Sequence, residues 1–474
     1  MKTLIKNGTI ITENSEFKGD ILIEDEKIKA IGLGFDEDDM DFIEDAAGKI
    51  VMPGGVDNHS HYDAVNTDGV TSNAGYETSY GSAIGGTTTT VEFAANDPGK
   101  NMIDSVKYRI NERAKGKMAV DFGIHALCTE VTEDSFGELE TLVEMGIPTL
   151  KLFMAYKPTA LYVDDATVYK FMREAKKCGI TMSVHAENAD LLNLFRDEEF
   201  EKGHTEPKWH IVTRPPFVES ECTQRAITLA NAAGCPLCIV HVSCKEAADV
   251  IAEAREKGMA VIGETCTHYL TLDASKLDNP DFDIAARYVC SPALRTVEQQ
   301  ESLFEALNKN ELSLVASDHS PIPLYQKHWG EGDFRKIPNG CPSSGDRMQM
   351  LWTAGVAAGK MTKQKYVEVA CTTPARLCGI YPQKGTLQAG SDADIVLFDP
   401  DFEGVVTNEA NPTGIEYNIF EGMKQKGRVD TVFLRGKKIV ENHKYIGTLG
   451  EGKFIAGKPY GLVYDLLKNK KQNK

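Results

Sequence analysis

The middle of the chain repeats one pattern: a short run that is apolar on both faces, then a longer stretch with apolar residues at helical spacing. TTTTVEFA leads to MIDSVKYRINERAKGK, AVDFGIHAL to DSFGELETLVEMG, and TLKLFMAY to ATVYKFMREAKKCG. The beat continues through ITMSVHAEN, LCIVHVS, AVIGETC and LSLVASDHS. Strands that are apolar on both faces and separated by helices belong in a parallel sheet covered by those helices. About eight such units over roughly 330 residues predict an α/β architecture, a (β/α)8 barrel. A doubly wound sheet would more often carry a glycine-rich phosphate loop after an early strand. The one candidate, GGTTTT at 85–90, lacks the spacing of either common phosphate loop and reads as a turn entering a strand.

The two ends of the chain echo each other. TLIKNGTIIT (3–12) and TVFLRGKKIVEN (431–442) are both strand, glycine-containing turn, strand. Together with GDILIEDEKIKAIG and SDADIVLFDP they predict a smaller β-sandwich domain made from residues 1–52 and 386–460. The barrel, 53–385, is inserted between those halves, and 461–474 is a solvated tail.

Composition narrows the partners. With 52 Lys+Arg against 70 Asp+Glu, the net charge of −18 disfavours nucleic acid and anionic membrane surfaces. No apolar run approaches the ~20 residues of a spanning helix, and the first twenty residues lack the apolar stretch of a signal peptide. The eleven cysteines, scattered from Cys128 to Cys378, read as reduced thiols of a cytoplasmic protein. Cys235 and Cys238 form a lone CxxC that leads into the apolar run CIVHV, so we read it as a strand entrance.

The chemistry-bearing residues share one structural place, the carboxyl end of an apolar run: His59 and His61, Lys151, His185, His241 and Asp318. In a barrel, those ends converge on the face where catalytic sites are built. His59 and His61 are two apart, so on an extended segment both imidazoles point to one side and can grip one cation. Burying four histidines and an aspartate is costly unless something binds them, and this donor set suits divalent transition metals. Zinc is the default; manganese, iron and cobalt also fit. Lys151 is the odd member, because an ammonium is repelled by metal ions. Adding carbon dioxide to the neutral amine turns it into a carbamate whose two oxygens can span two metals, and burial near positive charge favours that neutral amine. Two divalent ions, one carbamate, one aspartate and one hydroxide carry a formal charge of roughly +1, enough to keep a bridging water deprotonated near neutral pH.

At this level of detail the sequence resembles the cyclic amidohydrolases, specifically their dihydropyrimidinase and D-hydantoinase branch. The matching motifs run along nearly the whole chain: PGGVDNHSH (53–61), GGTTTTVEFA (85–94), KLFMAYK (151–157), VHAEN (184–188), IVHVSC (239–244), GETC (263–266), VCSPALR (289–295), SDHS (317–320), DFRKIPNG (333–340) and EGMKQKGRVDTVFLRGK (421–437). The resemblance implies two metals, one held by His59, His61, N6-carboxylated Lys151 and Asp318, the other by Lys151, His185 and His241. It implies that Tyr156 donates to the oxygen of the attacked carbonyl and that Ser291 and Asn339 hold the ring of a small cyclic amide. It further implies that a bridging hydroxide opens the ring to an N-carbamoyl amino acid while Asp318 moves the proton, and that the enzyme is a homotetramer.

Some positions depart from the family pattern. The segment after HxH, YDAVNTDGVTSNAGYE (62–77), carries Asp63, Asn66, Thr67 and Asp68, which predicts a more polar pocket wall. Ser343 and Gly345 stand where relatives usually have glycine and glutamate, and Ser320 where cysteine is common. His268 is a further candidate ring contact, and His319 is expected behind the ligands. Dihydroorotases follow HxH with x-Arg, and Asp63 stands at that position here. Allantoinase, or another cyclic imide or ureide hydrolase, remains an alternative. The related collapsin response mediators are non-catalytic scaffolds that have lost metal ligands, whereas every ligand position here is filled.

Overall fold

In the computed structural model, which describes residues 1–65, 69–72, 75–97 and 99–459, eight parallel strands stand in the order in which they occur along the chain. They are Gly55–Ser60, Thr87–Ala95, Asp121–Leu127, Thr149–Phe153, Thr181–His185, Leu237–Ile239, Val261–Cys266 and Leu314–Ala316. The ring is drawn together where the His61 N–H donates to the His319 carbonyl at 2.7 Å, beside a parallel bridge between Ser60 and His319. This is the barrel expected from the alternating pattern. The strands are short and buried on both faces because helices cover them. Helix Asp165–Cys178 shows how: Val168, Phe171, Met172 and Ala175 form one buried stripe. Asp164 caps its start by accepting the Thr167 N–H at 2.9 Å, and Gly179 ends it at φ 84°.

The GGTTTT segment is a turn into a strand. Gly86 has φ 90°, and a Cβ on Gly85 would lie 2.0 Å from the Gly345 carbonyl oxygen, so both positions require glycine.

A separate nine-stranded sheet is built from both ends of the chain. Its halves join where Ile50–Pro53 pairs antiparallel with Ile395–Val405. Alternation sorts the side chains of that second strand: Ile395 and Leu397 enter a core of the sheet's own with Ile10, Ile21 and Phe433, whereas Val396 and Phe398 join the main core. Beyond the sheet the chain returns to the barrel, the Phe122 N–H donating to the Lys453 carbonyl at 2.9 Å and the Ile455 N–H to the Phe122 carbonyl at 2.8 Å. Residues 461–474 lie outside the described residues.

All eleven cysteines are unpaired, and Cys235 and Cys238 are buried around the start of strand Leu237–Ile239. Among the described residues no helix is long and apolar enough to cross a membrane.

Candidate metal centre

His59 ends the first barrel strand with its side chain fully buried, and His61 follows on the same side. Asp318, just beyond the last strand, meets both: its Oδ1 lies 3.1 Å from His59 Nε2 and 3.4 Å from His61 Nε2. One potential ligand atom from each of the three falls within 4.8 Å of the others, close enough for a single cation. Lys151, in the middle of its strand and 1% exposed, reaches His59 Nε2 at 3.0 Å. His185 and His241 pack on each other with ring centroids 4.4 Å apart, and His241 lies 5.5 Å from His59. The four imidazoles, the lysine and the aspartate therefore surround one space at the carboxyl end of the barrel.

Electrostatics prepares His61, His185, His241 and Asp318 to ligate. Burial lowers the pKa of His61 to about 4 and takes His185 and His241 below the usual imidazole range, so all three are neutral at pH 7. Burial also opposes charge on His59, but Asp318 and Glu264 outweigh it and raise its pKa, in step with an Asp318 carboxyl held far below the usual carboxylate range. Lys151 falls to about 8, chiefly through burial. His241 Nδ1 is buried with no partner among the described residues, an arrangement that costs free energy unless a ligand completes it.

The sequence reading assigned no role to the residues that orient these ligands. Glu264 is fully buried on strand Val261–Cys266. It accepts from His59 Nδ1 at 2.6 Å, from Asn58 Nδ2 at 2.6 Å and from the His241 backbone N–H at 3.1 Å, so one carboxylate sets a ring on the first strand and a backbone just beyond strand Leu237–Ile239. Glu187 takes His185 Nε2 at 2.7 Å, which leaves ligation to Nδ1, and is itself clamped by Arg214 Nη1 at 2.7 and 2.8 Å. The only sequence signal for Glu264 was a carboxylate inside an otherwise apolar run. The Nδ1 of His319 accepts the N–H groups of Ser343 at 3.0 Å and Ser344 at 3.2 Å. That contact ties down the loop carrying the Ser343 and Gly345 departures.

A cavity of about 730 Å³ opens over the centre. Tyr156, at φ 66°, Ser291 and Asn339 all line it. Burial raises the Tyr156 pKa, and the charge of Arg214 works against that rise. Ser291 Oγ donates to Glu187 Oε2 at 3.2 Å, and Asn339 Oδ1 has no partner among the described residues. His268 is buried against Tyr269, with ring centroids 4.1 Å apart, and does not line the cavity.

The wall formed by residues 62–77 differs from the polar surface expected. Asp63 turns to Arg113, with its Oδ1 2.5 Å from Nη2, instead of lining the cavity. Ala64, Val70 and Ser72 face the space, with Phe93, Leu127 and Phe153 beside them, so the described wall is mostly apolar. Asp63 finds its ion pair outside the cavity, which the order of residues does not reveal. Asn66, Thr67 and Asp68 lie outside the described residues.

Known proteins resemble this chain along nearly its whole length. The model of the Amidohydrolase family matches residues 50–439. A D-hydantoinase of Geobacillus stearothermophilus is 41% identical over 465 residues, 98% of each chain. A dihydropyrimidinase of Arabidopsis thaliana is 34% identical over 466 residues, 98% of this chain and 87% of that protein. The crystal structure of a dihydropyrimidinase from Brevibacillus agri superimposes with a TM-score of 0.93 at 41% identity, covering 97% of this chain and 99% of that one.

Proposed function

This chain belongs to the amidohydrolase family, in the branch of the hydantoinases and dihydropyrimidinases, and we propose that it opens the cyclic amide of a dihydropyrimidine or a substituted hydantoin to an N-carbamoyl amino acid. The observation that carries this reading is the meeting of His59, His61, Lys151, His185, His241 and Asp318 around one space beneath the cavity.

The residues fit a metal pair. Three imidazoles are neutral, Asp318 is ionised, and the buried His241 Nδ1 awaits a ligand. His59, His61, Lys151 and Asp318 would hold one ion, and Lys151, His185 and His241 the other, with zinc the first candidate and manganese, iron and cobalt compatible. Lys151 serves as N6-carboxylysine. With a pKa of about 8, roughly a tenth of this amine is neutral at pH 7 and open to carbon dioxide. When bound, the metals supply Lewis-acid polarisation of the ring carbonyl and activation of water.

The chain's own groups do the rest. Ser291 and Asn339 orient the ring at the cavity wall. Tyr156 donates its phenolic proton in a hydrogen bond to the oxyanion that develops on the attacked carbonyl. Asp318 accepts the proton of the attacking water and returns it to the leaving ring nitrogen. The unpaired cysteines are consistent with a cytoplasmic enzyme, and we expect a homotetramer.

The test is to load the protein with zinc in bicarbonate and to rank kcat/KM on dihydrouracil, dihydrothymine, allantoin and a set of substituted hydantoins. We expect ring opening of the dihydropyrimidines or hydantoins, about two metals per chain, and loss of activity on chelation. Turnover of allantoin alone would move the enzyme to the ureide hydrolases, and turnover of nothing by the fully loaded protein would end the hydrolase reading.

A further inference from the structure

Besides its apolar residues, the cavity is lined by charge: Lys157, Arg196, Asp197, Arg335 and Lys336. Most of these charges are matched. Lys157 pairs with Asp190 at 2.8 Å, Arg335 with Asp197 at 2.8 Å and with Asp333 at 2.9 Å, and Lys336 with Asp333 at 3.3 Å. Deeper in, Arg214 is clamped on Glu187. Arg196 differs. It projects from helix Ala189–Glu201, and its Nη2 donates only to the Arg335 backbone carbonyl, at 2.5 Å. Among the described residues no carboxylate forms an ion pair with it, since neighbouring Asp197 is engaged by Arg335.

Its surroundings add to the imbalance. Burial, then the like charges of Arg214 and Arg335, lower the Arg196 pKa to about 10, with Asp197 and Tyr156 acting in the opposite sense. It is a guanidinium still protonated at neutral pH, partly desolvated, lining the same cavity as the phenol assigned to the oxyanion and short of an anion. A guanidinium presents a planar fork of donors matched to a carboxylate, and such charge-assisted pairs are among the stronger hydrogen bonds.

We propose that Arg196 is a specificity residue that binds an anionic group on the substrate, so that this enzyme prefers cyclic amides whose ring-carbon substituent ends in a carboxylate. This rests on the ring-opening reaction proposed above and adds a substrate class to it. The apolar wall accommodates the methylene stem of such a substituent, and Arg196 receives its charged end.

The experiment compares two probes of nearly equal size, the carboxyethyl hydantoin and its neutral carbamoylethyl counterpart, on the zinc-loaded full chain, with dihydrouracil as control for ring opening. The readout is the ratio of kcat/KM for acid over amide, within which general damage to an enzyme cancels. We expect the wild-type ratio to be about tenfold or more and to shrink with added salt. In Arg196→Gln the ratio should fall to one or below, and Arg196→Lys, which keeps the charge but not the fork, should retain part of it. Calorimetric titration with the ring-opened products, N-carbamoylglutamate against N-carbamoylglutamine, should show the same ordering without turnover. A wild-type ratio near one, or a ratio unchanged in Arg196→Gln, overturns the proposal while leaving ring opening intact. Failure to open any of the three rings overturns both.

Discussion

Lys151 and Lys384 are both almost completely buried lysines, one near each end of the same barrel, and their neighbourhoods are opposites. Lys384 Nζ contacts three carboxylates, Asp121 at 2.5 Å, Asp394 at 2.8 Å and Asp392 at 2.9 Å, and Arg435 also pairs with Asp121. Burial works against the charge of Lys384, but these aspartates outweigh it and raise its pKa. The cluster joins the start of a barrel strand to the sheet made by the chain termini. Lys151 has an imidazole nitrogen as its nearest polar partner, and its pKa falls. Charge that is completely paired within the protein holds the fold together. Charge left incomplete inside a cavity marks where something else binds.

Substitutions can break that contrast. The largest effect is expected for Asp318→Ala, which removes a metal ligand together with the proton carrier: kcat on the best ring substrate should fall by about four powers of ten. Near-normal turnover would remove Asp318 from the chemistry. At the other end, Lys384→Met leaves three buried carboxylates short of positive charge and should cost about 3–5 kcal/mol in denaturant unfolding, with kcat per folded molecule retained. An unchanged unfolding midpoint would mean that this cluster does not hold barrel and sheet together.

Smaller substitutions sharpen the picture at the cavity end. Tyr156→Phe should lower kcat by about two to three powers of ten with little change in unfolding, as for loss of one oxyanion donor. A change in KM alone would make the phenol a binding group. Glu264→Gln keeps the shape of a side chain that sets His59 and the His241 backbone but removes its charge. It should weaken metal retention against a competing chelator by about 10- to 100-fold while the loaded enzyme keeps much of its activity.

Much of this was legible before folding. The barrel could be read because strands covered on both sides must be apolar throughout, and that requirement leaves a mark in every short run from TTTTVEFA to LSLVASD. Five of the six candidate ligands could be read because each stands where such a run ends, whereas Lys151 lies inside its strand, Thr149–Phe153. The positioning residues were less visible. Glu264 sits within an apolar strand, and nothing along the chain indicates that it meets Asn58 and His59 some two hundred positions away. Along the chain Asp63 reads as a polar wall residue, and in the fold Arg113 pairs with it.

The sequence by itself determined which segments become strands and helices, and which residues bring metal-binding chemistry to the ends of strands, because those properties depend on near neighbours and on burial. Only the tertiary structure decided which charges are paired. Arg196, Arg335 and Lys336 look alike along the chain, yet Arg196 alone of the three lacks a carboxylate partner among the described residues. Coulomb interactions and hydrogen bonds act over a few ångströms in space, whatever the separation in sequence.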